Sequence, residues 1–390
     1  MRLTENDSAG DGGDLRRTMK FRGAVLETIG ASTPWGETTP INVAELTLDA
    51  PGRGEVLIRM EAAGVCHSDL SRVSGVRVCA VPMVLGHEGS GIIEELGEDC
   101  DDLKIGQRVT MTFMPRCGEC TACTSSGWAL CLEGTKANAE GTLLHGERRL
   151  RINGQPLDHH GGVSAFAEYA VVDKHSVVPL PEGVPADVGA LLGCAVLTGG
   201  GAVINAAKVR PGESVAIVGM GGVGLAAALV AIAAGAGEVV AIDMLPSKLE
   251  TSLGIGATAA YTPADAAAAG LKFDAVIECV GNPAALSGAI DMTKPGGRTV
   301  TVGLPRPEAR LEISPLSLVV EARQIIGSYM GSGIPSEDIA RYAQMYLDGV
   351  LPVEKLISGT IALDDINHAM DELREGNVIR QIIDLKGNAS

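Results

Sequence analysis

Short apolar runs in the first part of the chain alternate with turns rich in Gly, Pro and Asp. The runs cover residues 22–26, 43–48, 55–63, 89–96 and 108–111. Successive strand-like runs with no helical period between them predict an antiparallel or barrel-like β-rich half. From there to about Gly162 neither period persists, and a long irregular loop is expected. Past Cys194 the pattern changes. Apolar runs at 214–218, 238–242, 275–278 and 298–302 alternate with Ala-rich helical stretches at 222–234, 247–253 and 283–292. That alternation predicts βαβ units and a parallel, doubly wound sheet. The last segment, 336–390, is mixed, with a helical run at 363–375 and a strand at 380–385. The tract 264–270 reads as a surface helix.

A chain of 390 residues suggests two domains. With 46% apolar but only 3% aromatic residues and 51 glycines, small aliphatics must do most of the packing. This suits tightly stacked helix and sheet layers. A formal charge of -17 argues against nucleic acid as a partner, because phosphate contacts need clustered Lys and Arg. No basic amphipathic face or apolar run of spanning length is evident, so no membrane partner is expected; 215–236 comes nearest. Residues 1–19 are polar and Gly-rich and read as a disordered tail without a secretory apolar core. Nine cysteines, four of them crowded, point to metal ligation in a reducing cytoplasm.

Those four form the spacing Cys117-x2-Cys120-x2-Cys123-x7-Cys131. Closely spaced thiolates can close a tetrahedral shell on one metal, and zinc is favoured over an iron–sulfur cluster. A second set is scattered: Cys66 in Gly-Val-Cys-His-Ser-Asp, His87 in Gly-His-Glu and Cys194 in Leu-Gly-Cys-Ala. Three ligands leave a coordination position open, which is the arrangement of a catalytic zinc. Cys79, Cys100 and Cys279 are expected to be unligated, and His159-His160 to lie in a solvated loop, with the pocket entrance as the alternative.

The run Gly219-Met-Gly221-Gly222-Val223-Gly224 follows an apolar strand and opens an apolar helix. Its glycines suit a tight turn, approach of a pyrophosphate and close helix–strand packing. Asp243 closes the next strand, 19 residues beyond Gly224. Its carboxylate would accept from the adenosine ribose hydroxyls and repel a 2′-phosphate, favouring NAD over NADP. Lys248 could touch the same ribose or simply sit on a helix surface.

These motifs, with Val378-Ile-Arg-Gln-Ile382 near the end, occur in the order and spacing of a known family. From about residue 21 to 385 the chain resembles the zinc-dependent medium-chain alcohol dehydrogenases, in the longer-loop branch that holds the liver-type and glutathione-dependent formaldehyde dehydrogenases. The resemblance implies a GroES-like, β-rich catalytic domain over 20–197 and 329–390, with a structural-zinc loop at 113–135. It implies an NAD-binding Rossmann domain over 198–328. Cys66, His87 and Cys194 would ligate a catalytic zinc, with Asp69 and Glu88 behind them and Asp69 orienting His87. Ser68 would bond the substrate hydroxyl and begin proton removal, and Phe113 would line the substrate pocket. Thr198, Val223 and Val302 would line the nicotinamide site, and Arg380 would reach the pyrophosphate. A homodimer is implied, with a tetramer as the alternative.

Two departures from the family pattern stand out. His67 occupies the place of an arginine that faces the pyrophosphate, so cofactor release should be faster and pH-dependent. Ser71 replaces a histidine that ends the proton relay. The activity implied is reversible oxidation of a primary or secondary alcohol by hydride transfer to NAD. S-(hydroxymethyl)glutathione is the alternative substrate, although Thr135 stands where that class has its arginine anchor. A non-catalytic dinucleotide-binding relative is the alternative of another class.

Overall fold

The computed structural model describes residues 4–5, 17–125 and 128–387. The chain divides into two compact units, one formed by the residues up to Cys194 together with those from Ile357 onward, the other by Ala195–Leu356. Helix Pro335–Leu347 therefore groups with the second unit, whereas the sequence reading began the return to the first at residue 329. Its buried Ile339, Tyr342 and Ala343 explain the grouping: the Tyr342 ring packs so close to Gly200 that a Cβ there would stand 2.7 Å from it.

The first unit holds two seven-stranded sheets, and most neighbouring strands are antiparallel. In one, Arg17–Leu26 pairs along its length with Ile41–Asp49. That strand begins inside the segment assigned to the N-terminal tail, most of which lies outside the described residues. In the other, Glu55–Gly64 is central, flanked by Glu88–Leu96 and Arg380–Asp384, and also pairs with Tyr169–Asp173. Leu26, Trp35, Ile58, Met60, Phe166 and Met370 lie in the main core.

The stretch expected as an irregular loop is partly ordered. It carries helix Leu132–Glu140 and strand Leu150–Ile152. Helix Leu132–Glu140 has no apolar stripe, so hydrophobic periodicity could not announce it. Its signals are a capping sulfur, Cys131, which accepts from Gly134 N, and Gly141 at φ 67° at its end.

The second unit is a six-stranded parallel sheet. Its order is Ala259–Tyr261, Glu238–Ile242, Ser214–Val218, Phe273–Glu278, Thr293–Thr301, Gln324–Gly327. The first strand is central and the chain winds outward on both sides, the doubly wound plan. Helix Gly222–Ala233 is buried on nearly every side, which its Ala, Leu, Val and Ile composition permits. The 264–270 tract forms helix Pro263–Ala268.

One continuous helix, Ala186–Ala206, is long and apolar enough to cross a membrane, contrary to the sequence reading. Its most apolar stretch is 83% buried in the protein, as in a core helix. Interspersed glycines with Asp187, Thr198 and Asn205 interrupt its apolar run.

The C-terminal return is fixed by two side chains one turn apart on helix Ile366–Glu375. Asn367 Oδ1 accepts from Ile41 N at 3.1 Å and its Nδ2 donates to Ile41 O at 2.7 Å. Asp371 accepts from the backbone N–H groups of Trp35 and Gly36 at 3.0 and 2.8 Å. Replacing buried Asn367 by Ala leaves two backbone groups unpaired. The expected cost is about 2–3 kcal/mol, read as a lower urea midpoint of the first unit; a loss under about 0.5 kcal/mol contradicts this clamp.

Candidate functional site

The scattered trio converges within the first unit. Strand register brings two members together: Gly64 pairs with Glu88 and Ala63 with Gly89, so Cys66 and His87 leave adjacent strand ends on the same side. Gly64 leaves room for the Glu88 carboxylate, because a Cβ would stand 2.3 Å from Glu88 Oε2. The third member arrives on the helix. A Cβ at Gly193 would stand 2.0 Å from Met111 O, so glycine lets the helix close onto that strand and present Cys194. Residues Leu192–Val196 form a π-turn, a local irregularity frequent at functional sites.

Cys66, His87, Glu88 and Cys194 are all buried, with one ligand atom of each within 4.8 Å of the others. His87 Nε2 is buried with no hydrogen-bond partner among the described residues. An orphaned imidazole nitrogen facing two sulfurs is what a zinc ligand set requires, so these residues fit the ion. On the other side of the ring, His87 Nδ1 lies 3.1 Å from Asp69 Oδ1, while Asp69 Oδ2 accepts from Cys66 N at 3.1 Å. Burial opposes charge on Asp69, yet His87 and His160 hold its carboxyl well below the ordinary range. The Cys194 thiol beside Cys66, helped by Arg380 and His87, holds the Cys66 thiol well below its ordinary value.

Arg380 is 1% exposed. Its Nη2 lies 3.3 Å from both Cys66 Sγ and Glu88 Oε1, which ties Arg380 to two residues of the candidate metal set. Burial raises the Glu88 carboxyl to about 8, against the pull of Arg380. Phe113 meets the His87 ring edge-on at 5.2 Å. Ser68 lies on helix His67–Val73, whose N-cap is Cys66, and His67 there is exposed. The Ser71 hydroxyl donates to His67 O at 2.8 Å.

His159 and His160 are buried, not solvated. His159 Nε2 accepts from Arg149 N at 3.1 Å. His160 lies against His87, ring centroids 5.1 Å apart, with its Nδ1 3.2 Å from Asp69 Oδ1 but poorly aligned for a hydrogen bond. Burial outweighs the pull of Asp69 and sets the His160 imidazole at about 4, so it is neutral near pH 7. Two adjacent histidines in a polar stretch carry no periodic signal that would mark them for burial.

The four-cysteine cluster folds into one tetrahedral set. Cys117 Sγ stands 4.0 Å from Cys123 Sγ, and Cys120 Sγ stands 4.0 Å from Cys131 Sγ. Four sulfurs on one zinc at about 2.3 Å would stand about 3.8 Å apart, so the set fits that ion. Backbone N–H groups point at the sulfurs: Cys120 N to Cys117 Sγ at 3.4 Å, Cys117 N to Cys131 Sγ at 3.4 Å and Gly134 N to Cys131 Sγ at 3.3 Å. The Leu132 backbone N–H lowers the Cys120 thiol to about 6. All nine cysteines are free of disulfides.

In the second unit the Gly turn joins strand Ser214–Val218 to helix Gly222–Ala233. Gly219 has φ 92°, a turn conformation glycine adopts freely. A Cβ at Gly224 would stand 1.9 Å from Gly219 O, so only glycine closes that turn. At Gly221 a Cβ would meet nothing within 4 Å, which leaves room for a ligand at the helix N-terminus. Asp243 Oδ2 accepts from Met220 N at 2.7 Å and Oδ1 from Leu245 N at 3.0 Å, tying the acidic strand end to the turn. Lys248 is half-buried on helix Pro246–Gly254. Val302 follows the neighbouring strand end, donating to Glu278 O at 2.8 Å. Thr198 precedes Gly199, where a Cβ would stand 2.3 Å from Val223 O.

Comparison with known proteins agrees with this geometry. Residues 52–182 match the family described as "Alcohol dehydrogenase GroES-like domain" and residues 222–348 that described as "Zinc-binding dehydrogenase". The chain is 35% identical to "Alcohol dehydrogenase class-3" of Drosophila melanogaster, over 91% of this chain and 97% of that protein. It is 34% identical to "S-(hydroxymethyl)glutathione dehydrogenase" of Synechocystis, over 94% and 100%. Among solved structures, benzyl alcohol dehydrogenase from Acinetobacter calcoaceticus superposes with a TM-score of 0.85 at 30% identity, over 94% of this chain and 99% of that one. The chain belongs to the zinc-dependent alcohol dehydrogenase family.

Proposed function

We propose that the chain is an NAD-linked alcohol dehydrogenase, converting a primary or secondary alcohol and NAD to the aldehyde or ketone, NADH and a proton, and catalysing the reverse. One observation carries the reading: the sulfurs of Cys66 and Cys194 converge with the orphaned His87 Nε2 in a buried site. Cys66, His87 and Cys194 would hold a zinc there, which would supply a Lewis acid to lower the pKa of the alcohol hydroxyl. Two thiolates balance the charge of the ion, and Asp69 holds the His87 ring. Arg380 offsets the negative charge of Cys66 and Glu88. Ser68 bonds the hydroxyl and passes its proton outward, and Phe113 walls the pocket.

A nicotinamide cofactor bound by the second unit would supply the hydride acceptor. Gly219, Gly221, Gly222, Val223 and Gly224 seat the pyrophosphate, with His67 as a further contact. Asp243 holds the adenosine ribose with Lys248, and Thr198 and Val302 border the nicotinamide. Cys117, Cys120, Cys123 and Cys131 hold a second, structural zinc.

Purified protein is expected to contain about two zinc ions per chain, and to reduce NAD about tenfold or more faster than NADP with ethanol or benzyl alcohol. Cys66→Ala should keep about one zinc and lose about 10³-fold or more in kcat/KM. Cys123→Ala should lose the other zinc first. Two zincs without turnover on any alcohol sink the reading, and strict dependence on glutathione with formaldehyde favours the S-(hydroxymethyl)glutathione alternative.

A homodimer is the assembly this unit supports. Strand Gln324–Gly327 is an open sheet edge, and Leu316, Val319 and Val320 are 73–78% exposed on helix Pro315–Glu321 beside it. Sedimentation should give a dimer that Val319→Lys weakens; a monomer at micromolar concentration contradicts it. The unpaired cysteines support a reducing, cytoplasmic location, and recovery in an oxidising compartment upon cell fractionation would overturn that assignment.

A further inference from the structure

Arg72 lies in the last turn of helix His67–Val73, the helix that Cys66 begins. Its Nε donates to His160 Nε2 at 2.7 Å. A guanidinium only donates, so His160 accepts at that nitrogen. The imidazole stands between Arg72 and Asp69, and Asp69 is already engaged by His87 and by the Cys66 amide.

Other arginines of this unit are spent on carboxylates: Arg53 on Asp99, Arg59 on Glu94, Arg149 on Glu55 and Arg151 on Asp49. Arg72 makes no ion pair among the described residues. Neither terminal nitrogen of its fork donates there, and neither is a buried orphan. Arg72 is half-buried and its fork is not sealed from solvent, while its Nε anchor restricts its rotation. Such a cation is organised in advance for planar, two-point capture of a carboxylate. The Arg77 backbone N–H bonds Ser71 O at 2.8 Å, which returns to the same helix end a second arginine that makes no ion pair among the described residues.

Adding one hydrogen bond and the length of a guanidinium to the 5.1 Å between the His160 and His87 rings puts the fork at most about 11 Å from the metal-ligand ring. A benzene ring or a short carbon chain spans that gap.

We propose that Arg72, anchored on His160, binds a carboxylate of the substrate, so that the preferred alcohols are hydroxy acids whose two groups lie several bonds apart. This rests on the dehydrogenase reading above. The arginine anchor of the glutathione-dependent formaldehyde dehydrogenases would fall at Thr135, in a different segment, so Arg72 is a separate determinant.

The test compares 4-(hydroxymethyl)benzoate with benzyl alcohol on the zinc-loaded full chain with NAD. The wild type should prefer the carboxylated alcohol by about tenfold or more in kcat/KM. Arg72→Gln keeps an N–H donor for His160 but removes the charge; it should collapse that preference toward one, through KM. Arg72→Lys should retain part of it. Turnover of benzyl alcohol with no preference for the carboxylate overturns the inference alone. Equal loss on both substrates in Arg72→Gln also overturns it, because Arg72 would then act through His160 on the metal centre. If zinc-loaded wild type oxidises neither alcohol, the dehydrogenase reading fails and this inference falls with it.

Discussion

The pairing register between Glu55–Gly64 and Glu88–Leu96 is the constraint on which the metal centre depends. With Gly64 opposite Glu88, the two strands end together and release Cys66 and His87 side by side. A slip of one residue would turn every side chain of one strand to the opposite face. The register is held by burial on both strands, where Ile58, Met60, Ala63 and Ile93 are at most a few per cent exposed. The same central strand pairs with Arg380–Asp384, which delivers Arg380 to the same site. Fold and chemistry therefore share one set of backbone hydrogen bonds.

Around that register, glycine decides where backbones touch. Gly64 admits the Glu88 carboxylate and Gly193 admits the Met111 carbonyl. In the other unit Gly224 closes the turn and Gly221 leaves it open. These four positions use the missing Cβ for different ends: three for contact between protein atoms and one for a ligand. The two cysteine sets divide in a similar way. The compact set is braced by its own backbone N–H groups, as suits an ion that ties a loop together. The scattered set is braced by Asp69 and Arg380, side chains that orient ligands and balance charge.

Much of this was legible in the sequence because chemistry and period coincide there. The βαβ alternation and the Gly turn after Ser214–Val218 are local signals, and the structure has a parallel sheet in that region. The short β runs before residue 112 likewise lie in strands, four of them with nearly the expected bounds, while the first, Arg17–Leu26, begins well before the expected 22. Legibility failed where the determinant is tertiary. Helix Leu132–Glu140 is too polar to show a period. The long helix Ala186–Ala206 is disguised by glycines that exist for packing. His160 is buried against the His87 ring, held at one nitrogen by Arg72 and with Asp69 beside the other, 88 and 91 residues away in sequence. No spacing rule links residues so far apart.

The central claim is that three ligands of the first unit hold a zinc with one position left for substrate. The most direct measurement is anomalous diffraction at the zinc edge from crystals of the purified protein. The account predicts one peak bonded to Cys66 Sγ, His87 Nε2 and Cys194 Sγ, and another inside the four-cysteine set. A peak only in the four-cysteine set, or a zinc closed off by four protein ligands at the first site, would contradict it.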